Sequence, residues 1–221
     1  MKKELVKRFL SSLIILPIAL LFVIHGSVFF IFFLSILLLI TSYEWIKMSK
    51  KKHFNKIFGV IFLIFSFYSA FQLRNYAGLN FFLFIVLICI FTDIGGYIFG
   101  KIFKGPKLTK ISPNKTYSGA IGSFILPVIA GLVYTNHLGL PLSIIVQLKL
   151  SEISNNYELT FLFFILTISI ISQIGDLIIS YFKRLSKVKD TGKILPGHGG
   201  ILDRVDGLIF VIPILYLFII L

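Results

Sequence analysis

Residues 160–206 read TFLFFILTISIISQIGDLIISYFKRLSKVKDTGKILPGHGGILDRVD. The first half is an apolar run close to the ~20 residues an α-helix needs to cross a ~30 Å hydrocarbon layer, and Asp176 is the one acid inside it. The second half, from Ser180 to Asp206, gathers six cations, three carboxylates, one histidine and four glycines. A soluble domain of 221 residues that is 57% hydrophobic, with 25 phenylalanines, would have too little polar surface to cover itself. Further apolar runs at 10–24, 27–46, 57–73, 79–99, 118–134 and 205–221 predict an all-α, polytopic integral membrane helix bundle of about seven transmembrane helices. The stretch 9–46 is too long for one helix, and His25-Gly26 is its expected turn; the short first span leaves a re-entrant hairpin open.

Once the seven spans are drawn through alternate faces, 20 of the 22 Lys and Arg residues fall on one side, leaving only Arg74 and Lys149 outside. The positive-inside bias therefore predicts a cytoplasmic N-terminus and a cytoplasmic charged link. The net charge of +13 would favour a bilayer with anionic headgroups. No nucleic-acid partner is expected, because the cations alternate with lipid spans instead of lining one groove. MKKELVKR followed by an apolar run mimics a signal peptide, but small residues are missing from the cleavage positions near His25 to Ser27, so a retained first span is expected. Cys89 stands alone, which excludes an internal disulfide and reads as a small apolar filler.

There are nine carboxylates. Glu4, Glu44, Glu152 and Glu158 are expected to be solvated or interfacial. Asp93, Asp176, Asp190, Asp203 and Asp206 lie in or beside the cytoplasmic half of the spans. An unpartnered carboxylate at Asp176 would cost at least ~2.5 kcal/mol on insertion scales, so it needs a partner or a wet cavity. Gln173, Asp176, Ser180 and Lys183 or Arg184 recur at helical spacing, forming one polar stripe that is either helix–helix glue or the wall of a site. Lys183, Arg184, Lys187, Lys189 and Lys193 offer cationic donors for phosphate. In Leu195-Pro196-Gly197-His198-Gly199-Gly200, the glycines allow backbone amides to approach an anion. His198 could donate to phosphate, act as a base or be structural. Asp203 and Asp206, three apart, can share a helical face at the start of the last span. Carboxylates on adjacent helices, facing glycines and cations, suit phosphoryl chemistry with Mg²⁺, which takes hard oxygen ligands.

The run Ser180-x-x-Lys183-Arg184-x₄-Lys189-Asp190-x-Gly192-x-x-Leu195-Pro196-Gly197-His198-Gly199-Gly200-x-x-Asp203-Arg204-x-Asp206 resembles the signature of the phosphatidate cytidylyltransferases, the CDP-diacylglycerol synthases. The fifteen specified positions at fixed spacing are too many for coincidence. A weaker likeness lies upstream. Asp93-x-x-Gly96-Tyr97-x-x-Gly100-Lys101 resembles the family's Asp-x-x-Ala-Tyr-x-x-Gly-Arg, and Ser112-Pro113-Asn114-Lys115-Thr116-x-Ser118-Gly119 resembles its Ser-Pro-Lys-Lys-Thr-x-Glu-Gly. Asn114 and Ser118 depart from that pattern, and Ser118 removes a carboxylate. Without the resemblance, Gly96-x-x-x-Gly100 would be a close helix-packing motif and Asp93 a buried polar residue seeking a partner.

The resemblance implies a two-part organisation, with N-terminal transmembrane helices over 1–90 and a catalytic membrane region over 91–221 that contains the signature at 175–206. It implies the reaction CTP + phosphatidate → CDP-diacylglycerol + pyrophosphate in a bacterial cytoplasmic membrane. Asp176 and Asp203 would hold Mg²⁺, with Asp206 or Asp93 as further ligands and a second cation left open. Lys183, Arg184 and His198 join them as catalytic candidates, and Lys189, Asp190, Gly197, Gly199, Gly200, Arg204, Ser112, Lys115 and Thr116 as substrate-binding candidates. Two rivals remain: a CTP-dependent polyprenol or dolichol kinase or archaeal-type lipid cytidylyltransferase, and, remotely, an ion-coupled transporter. An apolar surface that faces lipid reads the same as a homodimer contact.

Overall fold

A computed structural model describes residues 17–49, 53–109, 111–138, 157–192, 194 and 199–220. Among these residues it is helical without strands, as expected, apart from an isolated antiparallel bridge between Lys107 and Thr116. Residues 17–25 are helical (α1) and are followed by α2 (Ser27–Met48), α3 (His53–Ala77), α4 (Leu79–Phe103), α5 (Tyr117–Leu138), α6 (Tyr157–Leu185), a single-turn α7 (Leu202–Val205) and α8 (Leu208–Ile220). Five of these, α2 to α6, are long and apolar enough to cross a membrane, while α8 has 13 residues and the start of the first expected span lies outside the described residues.

The expected turn at residues 25–26 is a helix break, with Gly26 at φ 66°, a conformation that glycine takes without the Cβ penalty other residues meet. Arg74, near the end of α3, closes this break by donating from Nε to the Val23 carbonyl at 2.8 Å and from Nη2 to the Ile24 carbonyl at 3.1 Å. One of the two cations outside the charge bias is thus a cap for the exposed carbonyls at the end of α1.

The closest helix pair is α4 against α5, where side chains are missing on both surfaces. A Cβ on Gly119 would stand 2.7 Å from the Gly96 carbonyl oxygen, and Gly95 and Gly122 meet backbone to backbone. The packing reading of Gly96 and Gly100 is therefore correct, and small residues are how helices approach each other where lipid removes the hydrophobic drive. Thr92 on α4 donates to the Ile88 carbonyl at 2.8 Å, and its hydroxyl also lies 3.1 Å from that of Ser169 on α6 in the buried interior. Cys89 is buried beside this layer. Across α6 and α8, Gly175 and Gly207 play the same part: a Cβ on Gly175 would come 2.9 Å from the Asp206 carbonyl oxygen. Ser66 of α3 reaches the Ile209 carbonyl at 2.8 Å and ties α8 to the other side.

Because successive helices run up and down, the ends of α2, α4 and α6 and the beginnings of α5 and α8 collect at one end of the bundle. The described cations of the three internal clusters, among them Lys47, Lys56, Lys101, Lys115, Lys183 and Arg204, belong to that end.

Candidate active site

The polar stripe on α6 supplies the floor of the site. Asp176 accepts from the Ser180 hydroxyl at 3.3 Å and pairs with Lys115 at 2.5 Å. Lys115 arrives from the link between α4 and α5, which is folded tightly. Leu108 and Tyr117 donate backbone hydrogen bonds to Lys115 and Pro106, and the Lys115 amide closes a turn on the Ser112 carbonyl. Thr116 then caps α5 by accepting from the Gly119 amide at 3.1 Å. Ser118, where the resemblance expects glutamate, donates instead to the Lys104 carbonyl. Arg184 pins this link to α6 through the Ile111 carbonyl at 3.2 Å. The upstream likeness and the main signature are therefore one site in space, joined through Lys115–Asp176 and Arg184–Ile111.

Lys183, buried in the last turn of α6, pairs with Asp203 Oδ1 at 2.8 Å. The other oxygen, Oδ2, accepts from the Thr191 amide at 2.8 Å and the Gly200 amide at 3.2 Å, and lies 3.0 Å from the Thr191 hydroxyl, whose one proton it shares with Glu44. Gly199 sits beside it with φ 87°. The glycine amides were expected to face phosphate, but the structure turns Gly200 onto a carboxylate of the protein itself. Gly197 and His198 lie outside the described residues.

Asp206 follows Asp203 by three residues and caps α7 in helical conformation, φ −57° and ψ −36°. The helix breaks after α7, and Asp206 accepts from the Gly207 amide at 3.0 Å while its side chain is buried between α6 and α8. Burial, followed by the negative charges of Asp176 and Asp93, pushes its carboxyl well above the ordinary carboxylate range. Asp203 and Lys183 are also within electrostatic reach of it. Asp176, Asp203 and Asp206 thus belong to one electrostatic group. Asp93 has an exposed side chain on α4 with Asp176, Lys115 and Arg204 within reach, so it faces charged company instead of lying as a lone buried acid.

Outside this cluster the link carries exposed charge. Lys187 closes α6 in a left-handed conformation, φ 55°, with the Val188 amide on the Lys183 carbonyl and its own amide on the Arg184 carbonyl. Beyond it, Lys187, Lys189 and Asp190 join Lys47 and Ser49 around a cavity of about 800 Å³. That is the size class of small-molecule sites.

The sequence reading put Glu44 at a solvated interface. It is wrong there: Glu44 is 1% exposed. Its Oε1 accepts from the Ile201 amide at 3.1 Å, and its Oε2 from the Leu202 amide at 2.8 Å and the Thr191 hydroxyl at 3.1 Å. Thr191 was also missed. The available signal was that Phe30, Leu34, Thr41, Glu44 and Met48 share the inward face of α2. An all-apolar helix hides that face, because lipid-facing and core-facing positions look alike. Glu158, at the start of α6, is exposed as expected, and Glu4 and Glu152 lie outside the described residues.

The donor set fits Mg²⁺. Asp176 Oδ2 and Asp203 Oδ1 are hard oxygens that already attract cationic side chains. Among the described residues no three histidine, cysteine or carboxylate groups stand together as a ready cage. Mg²⁺ ordinarily takes one or two carboxylates and completes its shell with water and substrate phosphate.

The cytidylyltransferase family matches residues 53–221, from α3 to the C-terminal end of the sequence. A phosphatidate cytidylyltransferase of Staphylococcus haemolyticus is 43% identical over 139 residues, covering 62% of this chain and 48% of that protein. One from Brucella suis is 40% identical over 162 residues, covering 71% and 54%. The chain thus spans about half the length of the curated relatives it matches. The match takes in both halves of the charged cluster and the helices that carry them, and the chain belongs to the cytidylyltransferase family.

Proposed function

We propose that the chain catalyses CTP + phosphatidate → CDP-diacylglycerol + pyrophosphate at the cytoplasmic face of a bacterial membrane. The observation that carries this reading is the meeting of Asp176, Asp203 and Asp206 with Lys115 and Lys183 at one end of an apolar bundle. A soluble nucleotide and a lipid phosphate meet at that depth. The relatives' names support the substrates.

A phosphatidate oxygen attacks the α-phosphorus of CTP in line. A new P–O bond forms as the bond to the leaving pyrophosphate breaks. The attacking oxygen is already ionised near neutrality, so no strong general base is required, and positioning with charge stabilisation supplies most of the acceleration. Asp176 and Asp203, with Asp206 or Asp93 as further ligands, would hold Mg²⁺, which when bound would neutralise charge on the phosphate oxygens. Lys183 and Lys115, drawn to those aspartates, are placed to exchange carboxylate for phosphate oxygen as substrate arrives. Arg184, Lys189 and Arg204 add cationic donors around them.

Purified protein given CTP, phosphatidate and Mg²⁺ is expected to release pyrophosphate and form CDP-diacylglycerol. Asp176→Asn and Asp203→Asn are expected to abolish release without unfolding the protein. Release of CDP with a phosphorylated lipid would identify a kinase instead, and normal turnover by either variant would remove its aspartate from the mechanism.

A further inference from the structure

Glu44 lies on α2, outside the stretch that matches the family, and no step of the proposed transfer uses it. A carboxylate 1% exposed in an apolar bundle is costly unless its charge is answered. Here the answer is the backbone amides of Ile201 and Leu202 at 3.1 and 2.8 Å, with the Thr191 hydroxyl at 3.1 Å sharing its one proton between Glu44 and Asp203. All three belong to the charged link. The site is shaped to admit the carboxylate, since a Cβ on Gly192 or on Gly200 would collide with it. The Thr191 hydroxyl lies 3.1 Å from Glu44 Oε2 and 3.0 Å from Asp203 Oδ2, so one side chain bridges the two carboxylates. Glu44 therefore grips the link on both sides of its glycine-rich segment, at Thr191 and at residues 201–202, and through Thr191 it bears on Asp203.

We propose that Glu44 is a positioning residue: its carboxylate clamps the link between α6 and α8 and sets the place of Asp203, without itself touching substrate. The proposal rests on the reading of Asp203 as part of the transfer site. Glu44→Gln keeps the shape but replaces one acceptor oxygen with an amide that faces backbone N–H donors. Thr191→Val removes only the bridge.

The test uses the full chain in phospholipid vesicles: wild type, Glu44→Gln, Thr191→Val and the double variant. Two readouts are followed, the kinetics of pyrophosphate release and the rate of trypsin cleavage at Lys189 and Arg204. For Glu44→Gln, kcat is expected to fall roughly 10- to 100-fold, the range for stranding buried partners of a charged acceptor. KM for CTP and phosphatidate should change less than about threefold, because the lost interaction orders the reacting groups instead of binding substrate. Cleavage in the link should accelerate about tenfold while the helices stay protected. Thr191→Val should shift both readouts in the same direction, and the double variant should lose less than the product of the two single losses.

Wild-type kcat and cleavage in Glu44→Gln would overturn the clamp, as would cleavage that rises equally throughout the chain. If Glu44→Gln does not fold, Thr191→Val decides: wild-type values for both readouts overturn the proposal. An inactive wild type would defeat the transfer reading instead, and the cleavage rates would still test the clamp.

Discussion

Lys183→Met is the perturbation whose cost the structure defines best. The two partners of the Lys183–Asp203 pair have side chains only 11% and 9% exposed, so solvent screens them little. Removing one partner of a buried pair typically costs about 3–5 kcal/mol, because the other charge is left uncompensated. Asp203 keeps the Thr191 and Gly200 amides on Oδ2 and a share of the Thr191 hydroxyl proton, which places the expected loss near the lower end, about 3 kcal/mol. For a chain of this size that corresponds to a fall of about 6–12 °C in Tm, readable by thermal unfolding in detergent. The decisive comparison is with Lys183→Met combined with Asp203→Asn. With no buried charge left to strand, the double variant should recover about 1.5–3 kcal/mol relative to the sum of the single losses. Additive losses, with coupling below about 0.5 kcal/mol, would show that the two groups do not depend on each other and would refute the reasoning.

Three further outcomes are expected. Gly122→Val should loosen or break the α4–α5 contact, losing more than the ~1–3 kcal/mol usual for overpacking because the root of the Phe99 side chain and the Gly95 carbonyl both stand in the way, and unfolding in detergent checks it. Lys115→Ala should lower turnover by at least about tenfold while leaving Tm within a few degrees, since the pair it makes with Asp176 is partly solvated and screened; wild-type turnover would exclude Lys115 from the site. Lys187→Gly should raise stability by up to ~1 kcal/mol, because the left-handed residue that closes α6 is then free of Cβ strain, and a Tm shift of a few degrees reports it.

How far the site could be read differs from residue to residue for physical reasons. Asp176 and Lys183 were legible because a polar stripe stands out against an apolar helix. Lys115 was legible only through family likeness, since nothing in SPNKT says that its lysine reaches a helix that starts some forty residues later. Asp206 keeps the helical conformation that its spacing from Asp203 suggests, but the break at residues 206–207, where Gly207 packs against Ser172, sets it ahead of α8.

By itself the sequence determined the class of the molecule. Apolar runs long enough to span a bilayer cannot be buried in a soluble domain of this size, and the structure has five helices long and apolar enough to cross one. Fixed spacing of charge and glycine after Gly175 marked the site. Only the tertiary structure decided which charges meet. Glu44 is the sharpest case: on a helix where lipid and neighbouring helices both demand apolar side chains, sequence periodicity carries no sign of which face turns inward. The amides of residues 200–202 are another: Gly200 turns onto Asp203 in the same link, whereas Ile201 and Leu202 turn onto Glu44, which only the distant helix α2 brings to them.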